Sequence, residues 1–287
     1  MPVEDILLNF WILEDSPHGD ITSEILPEKT AIARIISKDE GILAGMEIVK
    51  KICMKFGIDI RPLKNDGERI AKGDIIAEIK GDVRKILLVE RLILNLLMYL
   101  SGIATTTRRF VDKVKTLNPK VRIAATRKTL PGLRWASKKA VEIGGGDTHR
   151  FSLSDCYLIK DNHIRVIGDT AEAVRLAKEK SSFTKLVEVE VRTPEDAVAA
   201  AKAGADIIMF DNMDPEDIRV SIDRIRELGL REKLVLEVSG GINLENVDRY
   251  AVLDVDVIST SFITLSPKPI DLTLKIHTLE TTSREQV

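Results

Sequence analysis

Between residues 120 and 261 the chain repeats one pattern. A short apolar, β-branched run is followed by polar residues, then by a longer segment with apolar positions three and four apart. The short runs are VRIAA from 121, CYLI from 156, KLVEVEV from 185, DIIMF from 206, KLVLEV from 233 and DVIS from 256. Strand-length runs alternating with helical spacing predict parallel βα units. The helix starts are marked: Thr193 offers an N-cap with Pro194 in the first turn, and Asp214 with Pro215 repeats the device before a stop at Gly229. Six such units fall short of a closed eight-stranded barrel.

Residues 1–105 have a different texture, with short strands separated by Asp-Gly and Lys-Gly turns and a long apolar segment, 86–104. Glu90, Arg91 and Asn95 interrupt that segment, so it is read as a buried helix, apolar almost all round, and not as a membrane span. Arg91 and Asn95 are four apart and share a face. A buried Arg91 needs a partner there, which could be an internal acid, a ligand or a neighbouring subunit. The expected division is an N-terminal domain over 1–105 and a βα domain over 106–267. The tail 268–287, alternating over 268–280 like an edge strand or short helix, is expected to return to the first domain.

Composition narrows the class. At 287 residues with 44% hydrophobic and 31% charged positions, the chain has the make-up of a globular protein large enough for two modest domains. A net charge of -2 and few aromatics argue against nucleic acid as a partner. The two cysteines, Cys53 and Cys156, lack metal-ligand spacing and read as buried fillers in a reducing compartment. No basic start followed by an apolar core opens the chain, so no signal peptide is expected, and the cytoplasm is the expected location.

The polar ends of the predicted strands carry the candidate chemistry, because a βα barrel places its site at the C-terminal ends of its strands. These ends hold Thr126, Arg127 and Lys128; Lys160 and Asp161; Asp211 and Asn212; Ser239, Gly240 and Gly241; and Ser259, Thr260 and Ser261. In KLVEVEV the period of two sets Glu188 and Glu190 on one face, expected inward, and three valines on the other. Arg127, Lys128, His149, Arg150 and Lys160 would repel by about 2 kcal/mol per adjacent pair if gathered within about 7 Å. Such a cluster calls for acids or an anionic ligand; Lys138 and Lys139, by contrast, read as solvated surface charges. His163 could serve a site or a turn, and His18 and His277 have no chemical neighbourhood in sequence.

Two glycine turns compete as phosphate cradles. SGGI, 239–242, follows a strand and precedes a helix, the arrangement that presents backbone N–H groups to a phosphate. GGGDTHR, 144–150, follows a helix and reads as a helix-ending turn that delivers His149 and Arg150.

The run TRKTLPGLRWASKKAVEIGGGDTHRFSLSDCYLIKDNH, together with HGDITSEI, GILAG, ERLILNLLMYLSGIAT, VEVEV, MFDN and EVSGGI in that order, resembles the quinolinate phosphoribosyltransferase family over nearly the whole chain. The resemblance implies an N-terminal α/β sandwich joined to an incomplete, six- or seven-stranded α/β barrel. It implies phosphoribosyl transfer from phosphoribosyl pyrophosphate to quinolinate with Mg²⁺, releasing pyrophosphate and CO2 and giving nicotinate mononucleotide for NAD synthesis. It also implies a homodimer with shared active sites, or a hexamer built from such dimers. Arg127, His149 and Arg150, with Lys160, would hold the carboxylates; Lys128 and Lys160 would face the pyrophosphate, with Lys128, Lys160, Glu190 and Asp211 forming the catalytic set. Glu190 and Asp211 would lie near the ribose and the metal, Ser239, Gly240 and Gly241 would cradle the 5-phosphate with Ser261 beside them, and Arg91 would enter the partner's site. Three positions depart from the family pattern: Ser261 for glycine, Leu265 for histidine and Thr148 for asparagine. The alternatives are a related branch associated with molybdate-transport genes, and a barrel lyase forming a Schiff base on Lys160.

Overall fold

The computed structural model describes residues 3–280. In chain order the helices are α1 (Val3–Asp15), α2 (Met46–Phe56), α3 (Val83–Leu117), α4 (Arg134–Ile143), α5 (Asp161–Ile167), α6 (Thr170–Lys180), α7 (Pro194–Lys202), α8 (Pro215–Glu227), α9 (Val247–Ala251) and α10 (Phe262–Leu265). The strands are β1 (Thr30–Ser37), β2 (Gly41–Ile42), β3 (Asp59–Pro62), β4 (Arg69–Ile70), β5 (Ile75–Asp82), β6 (Arg122–Ala125), β7 (Tyr157–Ile159), β8 (Val187–Val191), β9 (Ile207–Asp211), β10 (Val235–Ser239), β11 (Val257–Thr260) and β12 (Leu272–Glu280). They divide between two compact units, one of residues 1–106, 131–144 and 267–287, the other of 107–130 and 145–266.

The first unit is built on an antiparallel sheet of order β12-β1-β5-β3. Strict alternation in TAIARIIS buries Ala31, Ala33 and Ile35 on one face of β1. The tail supplies the edge strand β12, with Thr30 opposite Glu280 and Ser37 opposite Leu272; positions 281–287 lie outside the described residues. Helix α3 buries a stripe of Ile86, Val89, Ile93, Leu97 and Leu100, spaced three and four apart. Arg91 and Asn95 share the opposite, exposed face, which corrects the expectation of a helix buried all round: one apolar stripe is enough to anchor it, and Arg91 needs no internal partner. By length and composition α3 could cross a membrane, contrary to the sequence reading, but 56% of its most apolar window is buried inside the fold.

Helix α4 also departs from expectation. The sequence placed 131–144 in the barrel domain, yet it groups with the first unit. The reason is local: the Trp135 ring lies 5.5 Å from Lys51 Nζ. Lys138 is fully buried and not a solvated surface charge, while Lys139 is half-exposed and paired with Glu142 at 2.8 Å.

All six strand-like runs of the second unit form strands, in one parallel sheet of order β6-β11-β10-β9-β8-β7. β6 and β7 are its two edges and do not pair with each other, so the barrel is incomplete. A single parallel bridge between Ala124 and Asp147 lies on the free side of β6, where a seventh strand would run. Thr193 caps α7 as expected, its hydroxyl accepting the Asp196 N–H at 3.1 Å. At α8 Pro215 fills the first turn, but the Asp214 side chain makes no cap hydrogen bond.

Candidate active site

Registry assembles the site from single residues of separate strands. Leu158 is opposite Glu188, Glu190 is opposite Met209, Met209 is opposite Glu237, and Asp211 is opposite Ser239. With side chains alternating along each strand, these positions share the inner face of the sheet. The valines of VEVEV take the other face and are buried.

At the C-terminal ends of the strands this face opens into a cavity of ≈ 270 Å³, lined by Arg127, Lys128, His149, Arg150, Lys160, Glu190 and Asp211 together with Ser239. A second cavity of ≈ 250 Å³ shares Thr126, Lys128 and Ser239 with the first and adds Gly240, Gly241 and Ser261. The predicted site residues of the second unit therefore collect in two adjoining chambers, with Lys128 and Ser239 facing both. Arg91 belongs to the first unit and lines neither.

Acids offset part of the clustered positive charge. Lys160 Nζ is hydrogen-bonded to Glu190 Oε1. Arg192, just past β8, meets Asp211 Oδ2 at 3.1 Å and Asp161 at 3.5 Å. His163 Nδ1 accepts the Lys160 N–H at 2.9 Å, so this histidine closes the start of α5. Burial raises the thiols of Cys53 to about 12 and Cys156 to about 11, so neither is a thiolate nucleophile near neutrality.

The GGGDTHR turn behaves as its sequence suggests. Gly144 caps α4, and Gly145 takes φ 90, a conformation suited to glycine. The Asp147 carboxylate then accepts the His149 N–H at 2.7 Å. His149 sits at φ 52, and Asn212, beyond β9, at φ 55. These two are the only non-glycine residues with positive φ among those described, and both flank the site, where local strain of about 1 kcal/mol persists only if the surroundings hold it.

His149 Nε2 lies 3.2 Å from Glu237 and 3.5 Å from Glu188, while Nδ1 meets the Arg150 N–H at 2.7 Å. Burial disfavours the charged ring, but the carboxylates of Glu188 and Glu237 beside it outweigh this and raise His149 to about 10. Burial likewise raises Glu188 above the usual carboxylate range despite the nearby ring. A proton on Nδ1 would displace the Arg150 contact; the Nε2–H bond to the acids is common to both ring states. With the unfolded value near 6.5, His149 contributes stability that is fully present below about pH 6.5 and lost as pH rises through about 10. Urea midpoints measured from pH 6 to 10 should therefore fall more steeply for the native chain than for His149→Gln; parallel curves would refute this.

Sequence reasoning missed Glu237 and Arg192. The alternation in KLVLEV, which sets Glu237 two residues before Ser239 on the same face, could have found the first. No sequence signal marked Arg192, whose role depends on the loop beyond β8.

Residues 20–101 match the family described as Quinolinate phosphoribosyl transferase, N-terminal domain, and residues 103–275 match its C-terminal domain. This chain belongs to the quinolinate phosphoribosyltransferase family. A relative from Methanothermobacter thermautotrophicus, called a probable carboxylating nicotinate-nucleotide pyrophosphorylase, is 49% identical over 96% of this chain and 99% of its own length. The human carboxylating nicotinate-nucleotide pyrophosphorylase is 31% identical, covering 96% of this chain and 92% of its own. The fold is likewise shared: NadC from Streptococcus pyogenes superposes with a TM-score of 0.89 at 35% identity, over 96% of this chain and 97% of that one.

Proposed function

We propose that this chain transfers the phosphoribosyl group of phosphoribosyl pyrophosphate to the ring nitrogen of quinolinate, giving nicotinate mononucleotide, pyrophosphate and CO2, as a step in NAD biosynthesis. Family membership over the full chain supports the reaction. The observation that supports the residue assignments is the pair of adjoining cavities sharing Lys128 and Ser239.

Each chamber suits one part of the chemistry. Arg127 and Arg150, with His149 beside them, suit the two carboxylates of quinolinate, because a guanidinium meets a carboxylate through paired N–H donors. Held there, the pyridine nitrogen faces the shared wall. Ser239, Gly240, Gly241 and Ser261 offer hydroxyls and backbone N–H groups to the 5-phosphate. The ribose C1 then lies between them, with Lys128 and Lys160 facing the departing pyrophosphate. As the C1–O bond breaks and the N–C1 bond forms, positive charge grows on the ribose, and Glu190 and Asp211 stabilise it. Loss of CO2 from the carboxyl next to the nitrogen leaves an electron pair beside the new pyridinium, and a proton completes the product.

Glu190 and Asp211 also fit Mg²⁺, since both present hard oxygen donors at the mouth where the pyrophosphate would lie. The metal would be held jointly with substrate oxygens and would neutralise pyrophosphate charge. Activity should vanish with a chelator and return with Mg²⁺, and Asp211→Asn should raise the Mg²⁺ needed for half-maximal rate about tenfold. An unchanged Mg²⁺ requirement would count against Asp211 as a ligand.

The exposed Arg91 on α3 suits a homodimer in which it completes the partner's site, and a hexamer of such dimers is compatible with that contact. Arg91→Ala and Arg127→Ala chains should each be nearly inactive alone. Refolded together they should recover about a quarter of native activity, through mixed dimers with one intact site. No recovery would mean the site is not shared. Two unpaired cysteines suit the cytoplasm.

The reaction is tested directly by supplying quinolinate, phosphoribosyl pyrophosphate and Mg²⁺ and measuring CO2 and nicotinate mononucleotide. A folded protein giving neither would refute the proposal.

A further inference from the structure

Beneath the first cavity lies a buried cluster that the reaction as described does not use. Glu188 and Glu237 come from β8 and β10, one step deeper than Glu190 and Ser239, and are 0% and 2% exposed. Isolated carboxylates at such depth are costly, and apolar residues of similar volume would be cheaper in a pure core. Around them there is little compensation. His149 Nε2 serves both acids, at 3.2 Å to Glu237 and 3.5 Å to Glu188. Cys156 Sγ approaches Glu188 Oε2 at 3.8 Å, and Glu188 Oε1 and Glu237 Oε1 are both buried with no hydrogen-bond partner among the described residues. The ring they grip belongs to a residue in the left-handed region, whose backbone is pinned by Asp147 and whose Nδ1 meets the next residue's N–H. That next residue is Arg150, whose guanidinium lies 3.3 Å from the Cys156 carbonyl and lines the cavity.

We infer that Glu188 and Glu237 are positioning residues of the dicarboxylate subsite: Glu237 by its hydrogen bond and Glu188 by its ion-pair contact hold the His149 ring at Nε2 on the cavity floor, and with it the backbone that carries Arg150. The inference rests on the reading of Arg127, His149 and Arg150 as the carboxylate ligands. Its physical basis is that a turn at positive φ, at the free edge of an incomplete barrel, has little packing of its own to fix it. Two buried acids on β8 and β10, the strands on either side of β9 in the parallel sheet, supply a fixed point.

The test begins with the native full-length enzyme. It has only four histidines, so nitrogen-15 labelling of the imidazoles gives a readable spectrum. At pH 7.5 the His149 Nε2 should carry a slowly exchanging, downfield proton; an Nε2 without a proton overturns the inference, whatever happens to the variants. Glu188→Gln and Glu237→Gln keep shape and one acceptor. Each should raise KM for quinolinate about tenfold, the loss expected for one charged contact to the ring. KM for phosphoribosyl pyrophosphate should stay within about twofold and kcat within about threefold, a split that general loosening of the fold would not give. Glu237→Asp should recover part of the loss. Equal rises in both KM values, or a quinolinate KM within about twofold of native, overturn the inference. Arg127→Ala separates the two readings. If it raises quinolinate KM while the glutamine variants do not, only the positioning role fails; if it too has no effect, the carboxylate assignment itself is wrong.

Discussion

Arg127→Ala should lower kcat/KM for quinolinate by about a hundred- to a thousandfold, with KM for phosphoribosyl pyrophosphate changing by less than about threefold. Hydrogen bonds to a charged group contribute about 1.5–3 kcal/mol each, and a guanidinium facing a carboxylate can make two of them. Losing both also leaves the substrate carboxylate partly desolvated with no partner, which adds to the cost. Lysine at this position should restore little, because an ammonium cannot reproduce the planar fork. Steady-state kinetics with each substrate varied in turn would check this. A loss confined to the phosphoribosyl substrate would move Arg127 out of the carboxylate subsite. Nicotinate, with one carboxylate fewer, should be a poor substitute for quinolinate in the native enzyme, because part of the basic cluster would then stay unpaired.

The second large effect is expected at Gly240. Its φ is 95, and a Cβ there would come within 2.5 Å of the Asn212 side chain and 2.7 Å of its backbone nitrogen. The side chain could turn away, but the backbone nitrogen cannot, because it donates to the Ser239 carbonyl at 3.0 Å. Asn212 is itself at positive φ, so the loops after β9 and β10 are locked against each other at this point. Gly240→Ala should therefore displace both loops. KM for phosphoribosyl pyrophosphate should rise by about a hundredfold or more, and stability should fall by about 1–3 kcal/mol from the strained backbone. Gly241→Ala, where the nearest contact is 3.9 Å away, should be milder in its steric effect although its φ of 61 still favours glycine. If Gly240→Ala bound the phosphoribosyl substrate normally, the second cavity would not be the phosphate chamber.

How much of this was legible in the sequence depends on the range of the interaction. The six parallel strands were readable because each is a short β-branched run with its own turn and cap signals. Glu188 and Glu190 were readable because period-two alternation alone assigns a residue to a face, and Asp211 because it stands at the polar end of a strand. The glycine turn at 144–150 was readable because a helix stop is a local event. The burial of Arg91 was misread: its flanking residues are apolar, but only packing shows which stripe of α3 is covered. Lys138 was misread for the converse reason, since two adjacent lysines look alike in sequence while α4 turns one inward and the next outward. Glu237 carried a face assignment but no partner, because His149 is 88 residues away in the chain.

The sequence by itself determined the class of fold and the family, and it offered most of the candidate site residues, through local periodicity and motifs read in order. Tertiary structure decided which of those residues share a chamber. It also decided that Lys128 and Ser239 stand between two chambers, and that one histidine ring answers to two buried acids. Those facts depend on strand registry and on the meeting of loops from distant parts of the chain. Such contacts form only when the sheet has brought its edges together, and no local pattern encodes them.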